Sequence, residues 1–476
     1  MTFIGRLGYL KQLGNQLEII RRGGRGTPGL AVTMLGRRRV GKSRLIEQFC
    51  QISGVATVVF QATKWRAPDL ERLSLVEAVA SSGVVDEGLT APARPDDWLS
   101  ALVWMAAVLP SDRPTIVVID EVPWLSSQDA SFEGALQTAW DRHLSRKPVL
   151  LVLIGSDISV MTQLVEYDRP FHGRSSVMKI EPLTVAEVGD MTGLGPADAV
   201  DAWLITGGFP DAVLAWEAGM SRRQYLEAAF SDPLSPLLAG GELTLLNEFG
   251  ASTQARAVLE SIGSGERTFS RIAGEGRQAP VPSGTLAPLL EMLDKKGVVA
   301  RDLPLSTTVD AKNTRYRIAD SSLRFWLAFG ARGVSLAERG RSDLGMAMVE
   351  QSWSSWRGTA VEPWVRASLE RLLPNEQWPD VNEIGGWWNR ANNPQVDLVG
   401  TDRRPVAQSV LFLGSIKWRD DAPFDARDVH QLAKAAGIVP GTTANTPLVG
   451  VSRSTFDQTL PLATQWTAKD LVDAWA

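Results

Sequence analysis

The sequence predicts a multidomain α/β protein, on three observations. The chain has 476 residues, more than one hydrophobic core usually organises, so two or three domains are expected. Between about residues 30 and 182, short β-rich apolar runs (LAVTML, ATVVF, TIVVID, VLLVLIG, SSVMKIE) alternate with amphipathic segments. That is the rhythm of a parallel sheet covered by helices on both faces. Seventeen tryptophans stand against four tyrosines, and seven of them fall between Trp353 and Trp418, which marks a separate C-terminal α/β unit with its own core.

Bulk properties exclude some classes and leave others open. A net charge of −5 gives no global pull toward nucleic acid or an anionic membrane, so any polyanion contact has to come from a local basic face. Cys50 is the single cysteine; it rules out an internal disulfide framework and points to a reducing compartment. The opening MTFIGRLGYL lacks a charged region followed by a long apolar core, and no apolar run approaches the roughly 20 residues that span a bilayer. A cytoplasmic protein without a membrane segment is expected.

The elements follow in order. Residues 1–183 carry the alternating strands and helices of the parallel sheet. Residues 184–242 turn helical, with the break GGFP at residues 207–210, and predict a small lid. Residues 243–320 read as helices (ELTLLNEFG with TQARAVLESIG, TFSRIAG, SGTLAPLLEMLDKKG) and then two strands (VVARDL, TRYRI), the order of a winged helix. A helical connector, 321–360, leads to the end domain, 361–476, where EIGGWWNR and QVDLVG flank the turn-forming ANNP and LFLGSIKW follows.

Two motifs carry most of the chemistry. GRRRVGKS, comprising Gly36, Arg37, Arg38, Arg39, Val40, Gly41, Lys42 and Ser43, fits the phosphate-loop spacing and sits between a strand and a helix; Arg44 continues the segment. Its backbone N–H groups would cradle phosphates, with the helix dipole adding to them. Lys42 would reach the β and γ phosphates, and Ser43 would ligate Mg²⁺. The plain alternative is a Gly-Arg-rich surface loop. TIVVIDE places Asp120 at the C-terminal end of a buried strand, where α/β sheets bind ligands. Asp120 would share the Mg²⁺ with Ser43, and Glu121 would polarise the attacking water; a strand simply meeting solvent is the alternative. VLLVLIGSD ends in Ser156, placed to read a γ-phosphate or merely to end a strand. EYDRPFHGRSS offers Arg169 and Arg174, and an arginine there would stabilise transition-state charge as a finger, against a solvated arginine or an ion pair. Together these motifs predict an NTPase.

The order FIGR, GRRRVGKS, VVIDE, LIGS, HGR and GGFP, then the winged helix, YRIAD with LRFWLAF, GGWW and GSIKW, resembles the archaeal-type ATPase family. This is a branch of the AAA+/STAND-related NTPases that often carries a C-terminal domain resembling PD-(D/E)XK nucleases. The resemblance covers nearly the whole chain. It implies an AAA+-like P-loop core with ATP and Mg²⁺ as ligands, and Phe3 to Arg6 near the adenine. It also implies Ser156 as sensor, Arg174 as finger and Pro210 as a base or ribose contact from the lid. Where the family has acidic residues after the opening Gly-Arg, this chain has Leu7, Gly8 and Tyr9.

The C-terminal half suggests partners. The helix at 283–296, with Lys295 and Lys296, would enter a DNA major groove, and Lys312, Arg315 and Arg317 of the wing would meet phosphates; a protein contact is the alternative. In the end domain Glu362, Asp397 and Lys417 match the nuclease-like pattern, but Ser415 stands where that pattern has an acid. A hydroxyl carries no charge to compensate Mg²⁺, and spacing supports neither Asp421 nor Asp425 as a substitute. An impaired nuclease slot is expected, against a plain strand whose lysine snorkels outward. The reading is therefore an ATPase coupling nucleotide state to DNA contact, oligomeric if Arg174 completes a neighbour's site. The alternatives are an ATP-dependent switch or scaffold with a protein partner, and an active ATP-regulated, metal-dependent nuclease.

Overall fold

A computed structural model describes residues 3–24, 26–85, 94–249, 253–265, 267–274 and 281–476. The chain divides into two compact units, Met1–Pro182 and Leu183–Ala476.

The first unit is built on β1 (Leu30–Leu35), β2 (Ala56–Gln61), β3 (Thr115–Asp120), β4 (Val149–Gly155) and β5 (Ser176–Lys179), in the order β2-β3-β4-β1-β5. Every pairing is parallel. β3 and β4 are buried at every position, which explains their unbroken apolar runs: both faces are covered by helices. Alternation along the strands feeds two cores. Val32, Met34, Ile116 and Val118 join one cluster with the N-terminal helix Leu7–Arg21, whereas Ala31, Leu35, Val117 and Ile119 join the other. This order makes β1, β4 and β3 neighbours, so the loops after their C-terminal ends converge on one edge.

Among the described residues, the second unit holds four hydrophobic clusters. Helices Val185–Thr192, Pro196–Thr206, Arg222–Ser231 and Pro236–Phe249 share one cluster with residues of 325–353. The segment expected as a separate connector is thus part of the helical bundle. The reason is its apolar stripe, Phe325, Phe329, Met346, Val349 and Trp353, which needs the cover those helices supply. Helices Thr253–Gly263, Phe269–Ile272 and Ser283–Lys295 precede β6 (Val299–Asp302) and β7 (Arg315–Ile318), an antiparallel pair. β8 (Glu383–Trp388), β9 (Gln395–Thr401), β10 (Val410–Lys417), β11 (Leu448–Ser452) and β12 (Thr464–Thr467) form a mixed sheet in the order β12-β11-β10-β9-β8. Its first three strands are antiparallel and its last two join in parallel. Buried Arg357 ties this sheet to the helical bundle, donating to Asp201 at 2.8 Å and Asp420 at 2.7 Å.

The loop between β6 and β7 docks on the mixed sheet. Leu305 N donates to Gly386 O at 2.9 Å, Ala407 N to Ser306 O at 3.1 Å and Trp388 Nε1 to Asn313 O at 2.8 Å. A Cβ on Gly385 would lie 2.8 Å from Leu305 Cβ, so this close approach selects glycine. The docking engages Arg315 within the chain: it is buried with its guanidinium 4.2 Å from the Trp388 ring centre, donating to Asn392 at 2.5 Å and Gln395 at 3.3 Å. No helix among the described residues is long and apolar enough to cross a membrane.

Candidate functional site

At the converging edge of the first unit, β1 runs into the loop Gly36–Gly41. A Cβ at position 36 would lie 2.5 Å from Ile180 O, so the loop can pass β5 only as glycine. Arg39 and Gly41 adopt positive φ, 64° and 91°, and turn the chain into the helix Lys42–Ser53. This leaves that helix's first N–H groups directed at the loop's concavity, an anion cradle. Lys42 folds back over it, its Nζ donating to Gly36 O at 2.6 Å and Arg37 O at 2.9 Å. Burial lowers the Lys42 ammonium to about 8, with nearby Glu121 and Asp120 opposing the shift.

The carboxylates come from β3. Asp120 Oδ2 accepts from Ser43 Oγ at 3.1 Å, and its Oδ1 from Glu121 N at 2.8 Å. Glu121 is in the left-handed region, φ 57°, a costly conformation for a residue with a Cβ. There its carboxylate receives the Ser156 hydroxyl at 2.8 and 2.9 Å. Lys42, Ser43, Asp120, Glu121 and Ser156 line one cavity of about 360 Å³, together with Arg38, Arg39, Arg44 and Trp124.

The remaining expected residues lie elsewhere. Arg6 is buried and donates to Val40 O at 2.8 Å and to Glu181 O, while Tyr9 receives Glu181 N at 3.1 Å and carries the Arg6 guanidinium 5.6 Å from its ring centre. Arg6 thus braces the phosphate loop through Val40. Arg174 is held in a two-point pair with Asp141, both contacts at 2.8 Å, and Arg169 pairs with Glu133; neither lines the cavity. Pro210 opens the helix Pro210–Leu214 in the second unit. The preceding glycines are explained locally: both have positive φ, and a Cβ on Gly208 would stand 2.2 Å from Leu183 O. Lys295 pairs with Glu291 at 3.0 Å and Arg317 with Asp302 at 3.0 Å; the side chains of Lys296 and Lys312 lie at the surface. Sequence reasoning missed Trp124 and the bracing role of Arg6. The position of Trp124 in the first turn after Glu121 is the signal that could have found the former.

In the end domain, Asp397 Oδ2 accepts from Ser415 Oγ at 3.0 Å and Ile416 N at 2.9 Å. Glu362 pairs with Arg366 at 3.0 Å, and Lys417 faces Asp428 at 3.6 Å. Among the described residues, no group of three His, Cys, Asp or Glu side chains could hold a metal ion.

Residues 15–215 match a family described as an ATPase domain predominantly from Archaea. Residues 326–432 match one described as archaeal and bacterial proteins of unknown function. An uncharacterized protein of Methanocaldococcus jannaschii is 25% identical over 335 residues, 68% of this chain and 73% of its own. Among solved structures, a Walker-type ATPase of Pyrococcus abyssi is similar at 19% identity and TM-score 0.49, covering 68% of this chain and 96% of that one. The ORC2 protein of Aeropyrum pernix in its ADPNP–ADP complexes follows at 14% and 0.43, covering 72% and 96%. Motif spacing, sheet topology and family match thus agree over residues 15–215, the segment that holds the phosphate loop and the acidic end of β3.

Proposed function

We propose that the cavity binds ATP with Mg²⁺ and hydrolyses it, and that nucleotide state governs contact with DNA through the second unit. The observation that carries the ATPase reading is the Ser43–Asp120 pair at 3.1 Å beside the Glu121–Ser156 pair. Two neighbouring oxygens of an octahedral Mg²⁺ stand about 2.9 Å apart, so this hydroxyl and carboxylate fit the ion with little movement. Only two protein oxygens are offered, which leaves the other positions to phosphates and water. When bound, the ion would offset charge on the transferred phosphoryl group. Lys42 exchanges two neutral carbonyl partners for phosphate oxygens, a stronger, charge-assisted pairing. Glu121 accepts the proton of the attacking water, and Ser156 orients that carboxylate. If Arg174 serves as a finger, it must first leave Asp141, and it would act on a neighbouring copy, which makes hydrolysis depend on oligomerisation.

For DNA, the exposed Lys296 and Lys312, together with Lys295, support contact by the helix Ser283–Lys295 and its flank. The docked wing favours a second reading, in which the ATPase is a switch for a protein partner. The end domain reads as a nuclease-like slot that no longer cleaves, because Ser415 brings no charge to compensate a metal where an acid is expected, and Lys417 faces Asp428. Phosphate release measured with and without duplex DNA, over a salt series, separates these readings. Stimulation that falls steeply with salt supports DNA as effector. No stimulation at any salt moves the protein-partner reading to first place, and cut DNA overturns the reading of the end domain.

A further inference from the structure

Within the second unit lies a recess walled by five arginines, Arg267, Arg315, Arg317, Arg324 and Arg366, and only two carboxylates, Asp302 and Glu362. Three positive charges are therefore unmatched there. Guanidinium groups stay protonated at neutral pH, so the excess is real, and confined like charge is costly. The arginines are held by the fold itself. Arg324 donates to Ala360 O and Ile318 O at 3.0 Å each, and Arg366 to Asp397 O at 2.9 Å and Glu362 at 3.0 Å. Arg317 donates to Asp302 at 3.0 Å, and the Arg315 guanidinium sits over the Trp388 ring, 4.2 Å from its centre. Arg267 is fixed through its backbone, its carbonyl receiving Tyr316 N at 2.8 Å. Its side chain makes no hydrogen bond or ion pair among the described residues. Burial, reinforced by neighbouring guanidinium groups, pulls Arg324 down to about 9 and Arg315 down to about 10.

A preorganised set of cationic forks with surplus charge is what a tetrahedral dianion matches. A phosphate offsets two of the three unmatched charges and accepts from several forks at once, whereas a carboxylate offsets one. We propose that this recess is a second anion site that takes a phosphate group, with Arg267 its principal donor. The phosphate belongs either to a small phosphorylated molecule or to a nucleic-acid backbone. The site stands independently of the ATPase reading, because none of its residues belongs to the first unit.

The test uses the full chain carrying Lys42→Ala, which weakens anion binding at the nucleotide cavity, titrated calorimetrically with pyrophosphate and separately with a short DNA duplex. Saturable binding is expected for at least one probe. Arg267→Gln should weaken it about tenfold or more, the loss expected for a charge-assisted hydrogen bond. Glu362→Gln should tighten it several-fold, since the amide still accepts from Arg366 while the opposing charge is gone. Pyrophosphate binding with these responses assigns a small phosphorylated ligand; the same responses with DNA alone assign the backbone. If neither probe binds, or if both substitutions leave binding unchanged, the proposal is overturned. Should Arg267→Gln fail to fold, the opposite-sign response of Glu362→Gln decides alone.

Discussion

The nucleotide cavity and the end-domain slot are built from the same four residue types. One holds Lys42, Ser43, Asp120 and Glu121; the other holds Lys417, Ser415, Asp397 and Glu362. Even the central contact repeats: Ser43 Oγ lies 3.1 Å from Asp120, and Ser415 Oγ lies 3.0 Å from Asp397. The difference lies in what surrounds them. At the first site all four line one cavity, and the lysine rests on loop carbonyls that an anion can displace. At the second, the glutamate is paired with Arg366 and the lysine faces Asp428. Residue types create the possibility of chemistry; shared access to one solvent-filled space decides whether it is available.

The comparison can be broken first at Glu121. Glu121→Gln is expected to lower ATP turnover roughly 10²–10⁴-fold while leaving nucleotide affinity within a few-fold, the signature of a lost proton acceptor; single-turnover phosphate release beside equilibrium binding reads both. Lys42→Ala should cost about 10²–10³ in turnover and weaken binding as well, since its charge acts in ground and transition states alike.

The end domain should respond in stability instead. Asp397→Ala leaves Ile416 N–H and the Ser415 hydroxyl unsatisfied, so urea denaturation should show a loss of about 1–3 kcal/mol with ATP turnover unchanged. An equal loss of turnover would erase the contrast between the two sites.

A pH titration sharpens it further. The cationic form of Lys42 is the one that pairs with phosphate, and in the free protein it is lost as pH rises through about 8. Nucleotide affinity should therefore be full below that pH and fall by up to about tenfold per pH unit above it, with proton uptake on binding. Affinity that is flat from pH 7 to 9 would count against the buried lysine. The smallest effect is expected for Lys417→Ala, below about 1 kcal/mol in stability and nil in turnover.

How much of this is legible in the chain follows from how local each determinant is. The strand, Gly-rich turn and helix of the phosphate loop are contiguous, so spacing alone exposes them, and a buried apolar run ending in Asp120-Glu121 shows where β3 meets the ligand edge. The Glu121–Ser156 contact requires knowing that β4 lies beside β3, which periodicity does not encode. Arg315 was read as a phosphate contact because a basic residue in a wing suggests one. Its contacts within the chain, Trp388, Asn392 and Gln395, stand more than seventy residues away, and only the docked loop reveals them.

By itself the sequence determined the parallel-sheet ATPase core and its phosphate-binding and acidic motifs, since these rest on local periodicity and on contiguous residues. The tertiary structure alone decided which charged side chains are paired, which share a cavity and which crowd into an unmatched arginine recess. Electrostatic roles depend on distance and burial, and both are set by contacts between residues far apart in the chain.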